Sequence, residues 1–90
     1  MNIFLTPSFQ RKLKKLHPSE KSKLDQAIRV ISNNPLIGPS KKGKLQSIHV
    51  YKYKSQSQLI LVAYRFFKKE LILEFLSFGP HENFYRDLER

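Results

Sequence analysis

Two short stretches carry the side chains best suited to chemistry. In "VYKYK" Lys52 and Lys54 alternate with tyrosines, and in "SFGPHENFYRDLER" His81 and Tyr85 follow a Gly79-Pro80 break. Strand alternation puts Lys52 and Lys54 on one face with Ile48 and Val50, and His49, Tyr51 and Tyr53 on the other. Lysine, arginine, histidine and tyrosine on or beside a sheet suit metal-free cleavage of RNA. In that reaction a 2′-hydroxyl attacks the adjacent phosphorus. A base takes its proton, an acid protonates the leaving 5′-oxygen, and cations hold the doubly charged phosphorane. Histidine titrates near neutral pH and serves as acid or base. Lysines stabilise the developing charge. An aromatic ring stacks on an unpaired base for about 1–3 kcal/mol.

The same residues have plainer readings. Paired lysines behind Ile48 and Val50 are also the pattern of a strand leaving the core. His81 fits a turn, and Phe84 with Tyr85 fits a tail folded onto the core. Arg65 reads more readily as a snorkelling or ion-paired side chain than as a catalyst. His49 reads as a packed strand histidine, and His17, before Pro18, as a turn residue.

Other chemistries lack their signatures. His17, His49 and His81 are far apart, the acids do not cluster near them, and no His-x-x-x-His occurs. With only Gly38, Gly43 and Gly79 there is no nucleotide-binding glycine loop. No serine sits in a nucleophile elbow, so no hydrolase triad is indicated. No metal or other cofactor is expected. The absence of cysteine excludes a disulfide scaffold and thiolate metal sites and fits a reducing, cytoplasmic setting. "MNIFLTPSF" lacks a basic segment followed by a long apolar one, so no signal peptide is expected. The run Leu59 to Phe67 contains Arg65 and is too short to span a bilayer.

Charge narrows the partners. Seventeen Lys and Arg against seven Asp and Glu give +10 on ninety residues. From Gln26 to Lys69 there is no acid, while Arg29, Lys41, Lys42, Lys44, Lys52, Lys54, Arg65, Lys68 and Lys69 fall in that span. Such a stretch repels itself unless a polyanion or an acidic partner neutralises it. A solubilising surface is the bland reading. A phosphate backbone or an acidic protein is the sharper one. Lys41, Lys42 and Lys44 read as electrostatic anchors for RNA, and Lys68 and Lys69 extend the basic surface.

These residues need elements to hold them. Ninety residues make one domain, 1–90, whose fold buries about two thirds of its unfolded surface, so a site must be shallow. "NIFL" reads as a short strand. Thr6-Pro7-Ser8 is a helix start, with a capping hydroxyl and proline in the first turn. Phe9, Leu13 and Leu16 form the apolar stripe of that helix, and Leu24, Ala27, Ile28 and Ile31 that of a second, stopped by Asn33-Asn34-Pro35. Leu36 to Ser47 reads as a loop made flexible by its glycines. The period then changes to two: "IHVYKYK", a "SQSQ" turn, "LILVAYRFF" apolar on both faces and so central, a turn, and "LILEFLSF" ended by Gly79-Pro80. The expected fold is α+β: an N-terminal strand and an antiparallel helical hairpin packed on one face of a small, mainly antiparallel sheet, its other face left available. The tail from His81 reads as a short helix.

With that order and "VYKYK…LVAYRF…LILEFLSFGPHENFY", the whole chain resembles the RelE/ParE superfamily of bacterial type II toxins, and in detail its RelE-like and YafQ-like ribonuclease branches. "YKYK" is similar to the paired strand lysines of RelE, which implies phosphate-binding or proton-shuttling roles for Lys52 and Lys54. "GPHENFY" is similar to the Gly-x-His followed by an aromatic in YafQ-like toxins, which implies that His81 is the general acid and that Tyr85 positions a base. The resemblance implies metal-independent cleavage of messenger RNA in the ribosomal A site. It also implies neutralisation by a cognate antitoxin encoded in the same operon. RelE-like toxins carry an arginine early in the third strand where this chain has Leu61, and YafQ-like toxins have an aliphatic residue there. Arg65, of the same parity as Leu61, would supply a cation to the same face. The further histidine and aspartate of YafQ-like toxins have no clear equivalents, Ser55 and Leu59 standing near those positions.

Two other readings stay open. One is a ParE-like toxin of the same fold that inhibits DNA gyrase without cutting RNA, against which the pair His81 and Tyr85 argues. The other is a non-enzymatic basic protein that binds RNA or the ribosome.

Overall fold

Thr6 starts the first helix as its sequence predicts. Its backbone is extended, its hydroxyl accepts the Phe9 N–H at 3.2 Å, and Pro7 takes the first helical position, where no N–H is needed. The computed structural model describes residues 1–40, 48–81 and 84. In chain order the elements are β1 (Asn2–Leu5), α1 (Pro7–Lys14), α2 (Pro18–Asn33), β2 (His49–Ser55), β3 (Gln58–Phe67) and β4 (Ile72–Pro80). Helix α1 ends in Arg11, Lys12 and Lys14, which complement the negative end of its dipole. Helix α2 ends at Asn33, with Asn34 as its cap and Pro35 beyond.

The strands form one mixed sheet in the order β1-β4-β3-β2. Strand β1 pairs parallel with β4, and the two other pairings are antiparallel. This is an α+β fold of two helices on a four-stranded sheet. The central place of β3 explains why it is apolar on both faces. Helix α1 packs on β4 and α2 on β2. Their buried residues Phe9, Leu24 and Ile31 meet Val62, Tyr64, Leu73, Phe75 and Phe78 in the main core. Tyr51 and Tyr53 pack against this core, so the alternation read in "IHVYKYK" holds.

Three expectations change. The face away from the helices is not wholly available. Ile48, Val50, Leu61, Ala63 and Phe84 form a second buried cluster there, with Phe84 only 4% exposed. The tail residue that follows β4 thus closes part of that face, because the strands beneath it are too apolar to leave wet. The segment after Pro35 is also more constrained than its glycines suggested. The Val50 N–H donates to the Pro39 carbonyl at 3.1 Å, Ser40 bridges to His49, and Gly38 is buried. Strand β4 runs on through Gly79 and Pro80 rather than ending before them. Proline is tolerated there because β1 stops opposite Phe75, leaving the end of β4 as an edge. Thr6 and Lys12 cap that edge: the Thr6 hydroxyl donates to the Leu76 carbonyl at 2.9 Å and Lys12 Nζ to the Phe78 carbonyl at 3.0 Å.

Candidate functional site

The two strand lysines lie on the face away from the helices, near the hairpin that joins β2 to β3. Lys52 pairs with Leu61, which pairs with Gly79, and Lys54 pairs with Leu59. Lys52 and Lys54 are both exposed. Two strand spacings, about 10 Å, separate the Lys52 and Gly79 backbones, and Leu61 between them is fully buried in the cluster that includes Phe84. Pro80 pairs with Ile60, so His81 leaves the sheet at the level of Leu59 and Lys54. His81 is exposed and has helical backbone, as has Phe84. The fold therefore brings Lys52, Lys54 and His81 to one end of one face.

Other sequence candidates lie elsewhere. Arg65 is on the same face but four residues beyond Leu61, about 13 Å along β3. Its Nη1 is 3.6 Å from Glu74 Oε1, and both side chains are partly exposed. Lys68 and Lys69 are exposed in the turn between β3 and β4, at the opposite end of the sheet. Tyr85, Lys41, Lys42 and Lys44 lie outside the described residues.

His49 is structural, as read. Its Nδ1 is 2.7 Å from the Gly38 carbonyl oxygen and its ring stacks on Tyr64 at 5.3 Å. That bond requires the proton on Nδ1, since a carbonyl only accepts.

Sequence reasoning missed Lys12. Its ammonium reaches the end of β4, within 3.3 Å of the Ser77 hydroxyl and 5.9 Å from the centre of the Phe78 ring. It would lie 3.8 Å from a Cβ at residue 79, so it stands beside the glycine of the Lys52 row. Its spacing on α1 showed only a polar position. A second cluster was also missed, on the helix side of the hairpin tip. The Ser55 hydroxyl, 3% exposed, donates to Glu20 Oε2 at 2.6 Å and accepts from Lys23 Nζ at 3.4 Å. Burial, with the Glu20 carboxylate second, pushes the neighbouring Tyr53 phenol up to about 12.

Solved structures share this architecture. A double mutant of the E. coli toxin RelE in the free state aligns with a TM-score of 0.76 at 15% identity, over 98% of this chain and 90% of that one. The RelBE2 toxin–antitoxin complex from Mycobacterium tuberculosis aligns with a TM-score of 0.76 at 18% identity, over 89% of this chain and 96% of that chain. The intact E. coli RelBE complex gives 0.71 at 16% identity, over 90% and 96%. The fold is that of the RelE toxins. A family model described as the ParE-like toxin of type II bacterial toxin-antitoxin systems matches residues 3–89, and the chain belongs to this family, within the RelE/ParE superfamily. Comparison with curated proteins gives no match. Among the described residues no helix is long and apolar enough to cross a membrane.

Proposed function

We propose that the protein is a metal-independent endoribonuclease that cuts messenger RNA on the ribosome and so inhibits translation. The observation that carries this reading is the convergence of Lys52, Lys54 and the strand-end His81 at one end of the sheet face away from the helices. A phosphate held by the exposed Lys52 and Lys54 side chains would lie at the end of the sheet where Gly79 and Pro80 lead into His81, with Leu61 fully buried beneath. The RNA 2′-oxygen attacks phosphorus as a water, or a lysine in its neutral amine form that thereby becomes an ammonium, takes its proton, and the bond from phosphorus to the 5′-oxygen breaks. His81 protonates the departing 5′-oxygen, leaving a cyclic phosphate and a 5′-hydroxyl end. Lys52 and Lys54 neutralise the phosphorane. Tyr85 positions a base, and Arg65 adds a more distant cation to the same face. Lys41, Lys42, Lys44, Lys68 and Lys69 anchor the basic surface to ribosomal RNA.

The partner we infer is a cognate antitoxin encoded beside the toxin. The RelE-like structures from E. coli and M. tuberculosis include toxin–antitoxin complexes, which supports that inference. The test is mapping of transcript 5′ ends after brief induction in bacteria, comparing wild type with His81→Gln. New 5′-hydroxyl ends inside translated frames, lost in the variant, are expected. Growth arrest without such ends would move the reading to gyrase inhibition. Cleavage that survives in His81→Gln would shift the chemistry onto Lys52, Lys54 and Arg65.

A further inference from the structure

Between the helical layer and the tip of the β2–β3 hairpin lies a groove of about 350 Å³. Its apolar floor is Leu16, Ile60 and Phe78, and its rim carries His17, Tyr53, Gln56 and Gln58. Ligand sites typically combine such a floor with a few convergent polar groups. One side of the groove is fixed, because the Ser55 hydroxyl donates to Glu20 and accepts from Lys23. The rim is not. Among the described residues the side chains of Tyr53, His17, Gln56 and Gln58 make no hydrogen bond to the protein. The Tyr53 hydroxyl is therefore open to solvent at the rim, since among the described residues no buried side-chain nitrogen or oxygen lacks a partner.

The groove adjoins the candidate site. Tyr53 precedes Lys54 on β2 and points to the opposite face. Gly79 and Pro80, at the other lip, lead directly into His81. A chain running from Lys54 into the groove passes round the exposed turn at Gln56 and Ser57. Glu20 in the wall disfavours a phosphate, whereas the flat apolar floor and the amide and hydroxyl rim match the face and edge of a base. The cationic face next door already favours the polyanion that would carry such a base.

We propose that this groove is a specificity site for RNA: it takes one unpaired base next to the scissile phosphate and reads its edge with Tyr53, Gln56 and Gln58. This rests on the ribonuclease reading above. Cleavage maps of wild type should then show an unequal base preference at one position beside the cut. Tyr53→Phe and Gln58→Ala should flatten that preference by about fivefold or more for each lost contact, moving cuts to sites that wild type leaves intact. A preference unchanged in both variants overturns the proposal. So does an unchanged preference accompanied by escape from the antitoxin, which would make a protein segment the occupant.

A binding measurement separates the two ideas. A 2′-O-methyl RNA hexamer, which lacks the attacking hydroxyl, is titrated into isotope-labelled wild-type protein and followed by NMR. The amides of Leu16, Tyr53 and Gln58 should move, and an abasic nucleotide at the preferred position should abolish the movement. Movement without any cleavage in cells would sink the ribonuclease reading and leave the groove. Cleavage with silent groove amides and an unmoved preference would sink the groove alone. Neither cleavage nor movement would remove both.

Discussion

The phenol oxygen of Tyr64 accepts the Gly38 N–H at 3.1 Å and donates to the Pro35 carbonyl at 2.7 Å. Tyr64 is fully buried, so this one hydroxyl satisfies two backbone groups that start the segment leading to β2. Gly38 is required by crowding: a Cβ there would lie 2.9 Å from the Val50 carbonyl carbon and oxygen and 3.0 Å from the Tyr64 hydroxyl. Tyr64→Phe should cost about 1–3 kcal/mol by stranding the Gly38 N–H and the Pro35 carbonyl. Gly38→Ala should cost about 1–3 kcal/mol, because the obstructing atoms are backbone. The double variant should fall short of the sum, since both changes act on one contact. Chemical denaturation of the three variants checks this.

Leu71 offers the opposite sign. It is 53% exposed and has φ 54°, a left-handed backbone that a bulky residue resists. Its carbonyl accepts the Asn2 N–H at 3.0 Å, which ties the start of β1 to that turn. Leu71→Asn should keep the turn and relieve strain, for a gain of about 0.5–1 kcal/mol. For a domain of this size that corresponds to a rise in melting temperature of roughly 2–8 °C. An unchanged or lower melting temperature would show that the Leu71 side chain is held by contacts its exposure does not suggest.

Features set by near neighbours in sequence were readable before the structure. The Thr6-Pro7 start, the stop at Pro35 and the alternation from Ile48 to Lys54 depend on residues within a turn or a strand. What was unreadable depends on partners far along the chain. Gly38 reads as flexibility until Tyr64, 26 positions away, is placed against it. Lys12 reads as a solvated charge until the Phe78 carbonyl, 66 positions on, meets it. Glu20 reads as a first-turn acid, yet it holds Ser55 at the hairpin tip, 35 positions away. Period-two alternation told which face carries Lys52 and Lys54, but not that the apolar strands beneath would draw Phe84 over the same face.

Tyr53 should give the protein an alkaline limit. Its folded pKa lies at about 12 against an ordinary 10.0, raised first by burial and then by Glu20. Burial raises Tyr64 as well, against a lowering by the Gly38 N–H. A raised tyrosine pKa means that the unfolded chain loses its proton first. The contribution is therefore complete below pH 10 and is lost as pH climbs towards about 12. Tyr53 is only half-buried, so solvent screening reduces the loss from this residue to about 1 kcal/mol. Stability curves measured across that range, beside the rise of phenolate absorbance, should show a shallower alkaline fall in Tyr53→Phe. An identical fall would mean that Tyr53 titrates as freely in the folded protein as in the unfolded chain.

Different variants should separate the packing of Phe84 after β4 from the catalytic role proposed for His81. Phe84 is buried against Ile48, Val50, Leu61 and Ala63, whereas His81 is exposed three residues earlier. Phe84→Ala should cost about 3–5 kcal/mol, the usual range for emptying a buried phenylalanine site. That is a large share of the roughly 5–15 kcal/mol that stabilises a domain. Ending the chain after Gly79 removes Phe84 and the helical start together, so that protein should lose both its cooperative melt and its activity, and its inactivity would say nothing about catalysis. His81→Gln keeps Phe84 in place, so its melting and its cleavage can be compared with the tail's packing left intact. If His81→Gln abolishes cleavage while melting normally, His81 acts at the reaction. If it loses stability and cleavage in step, the histidine only holds the tail over the sheet, and the lysines must carry the chemistry without it.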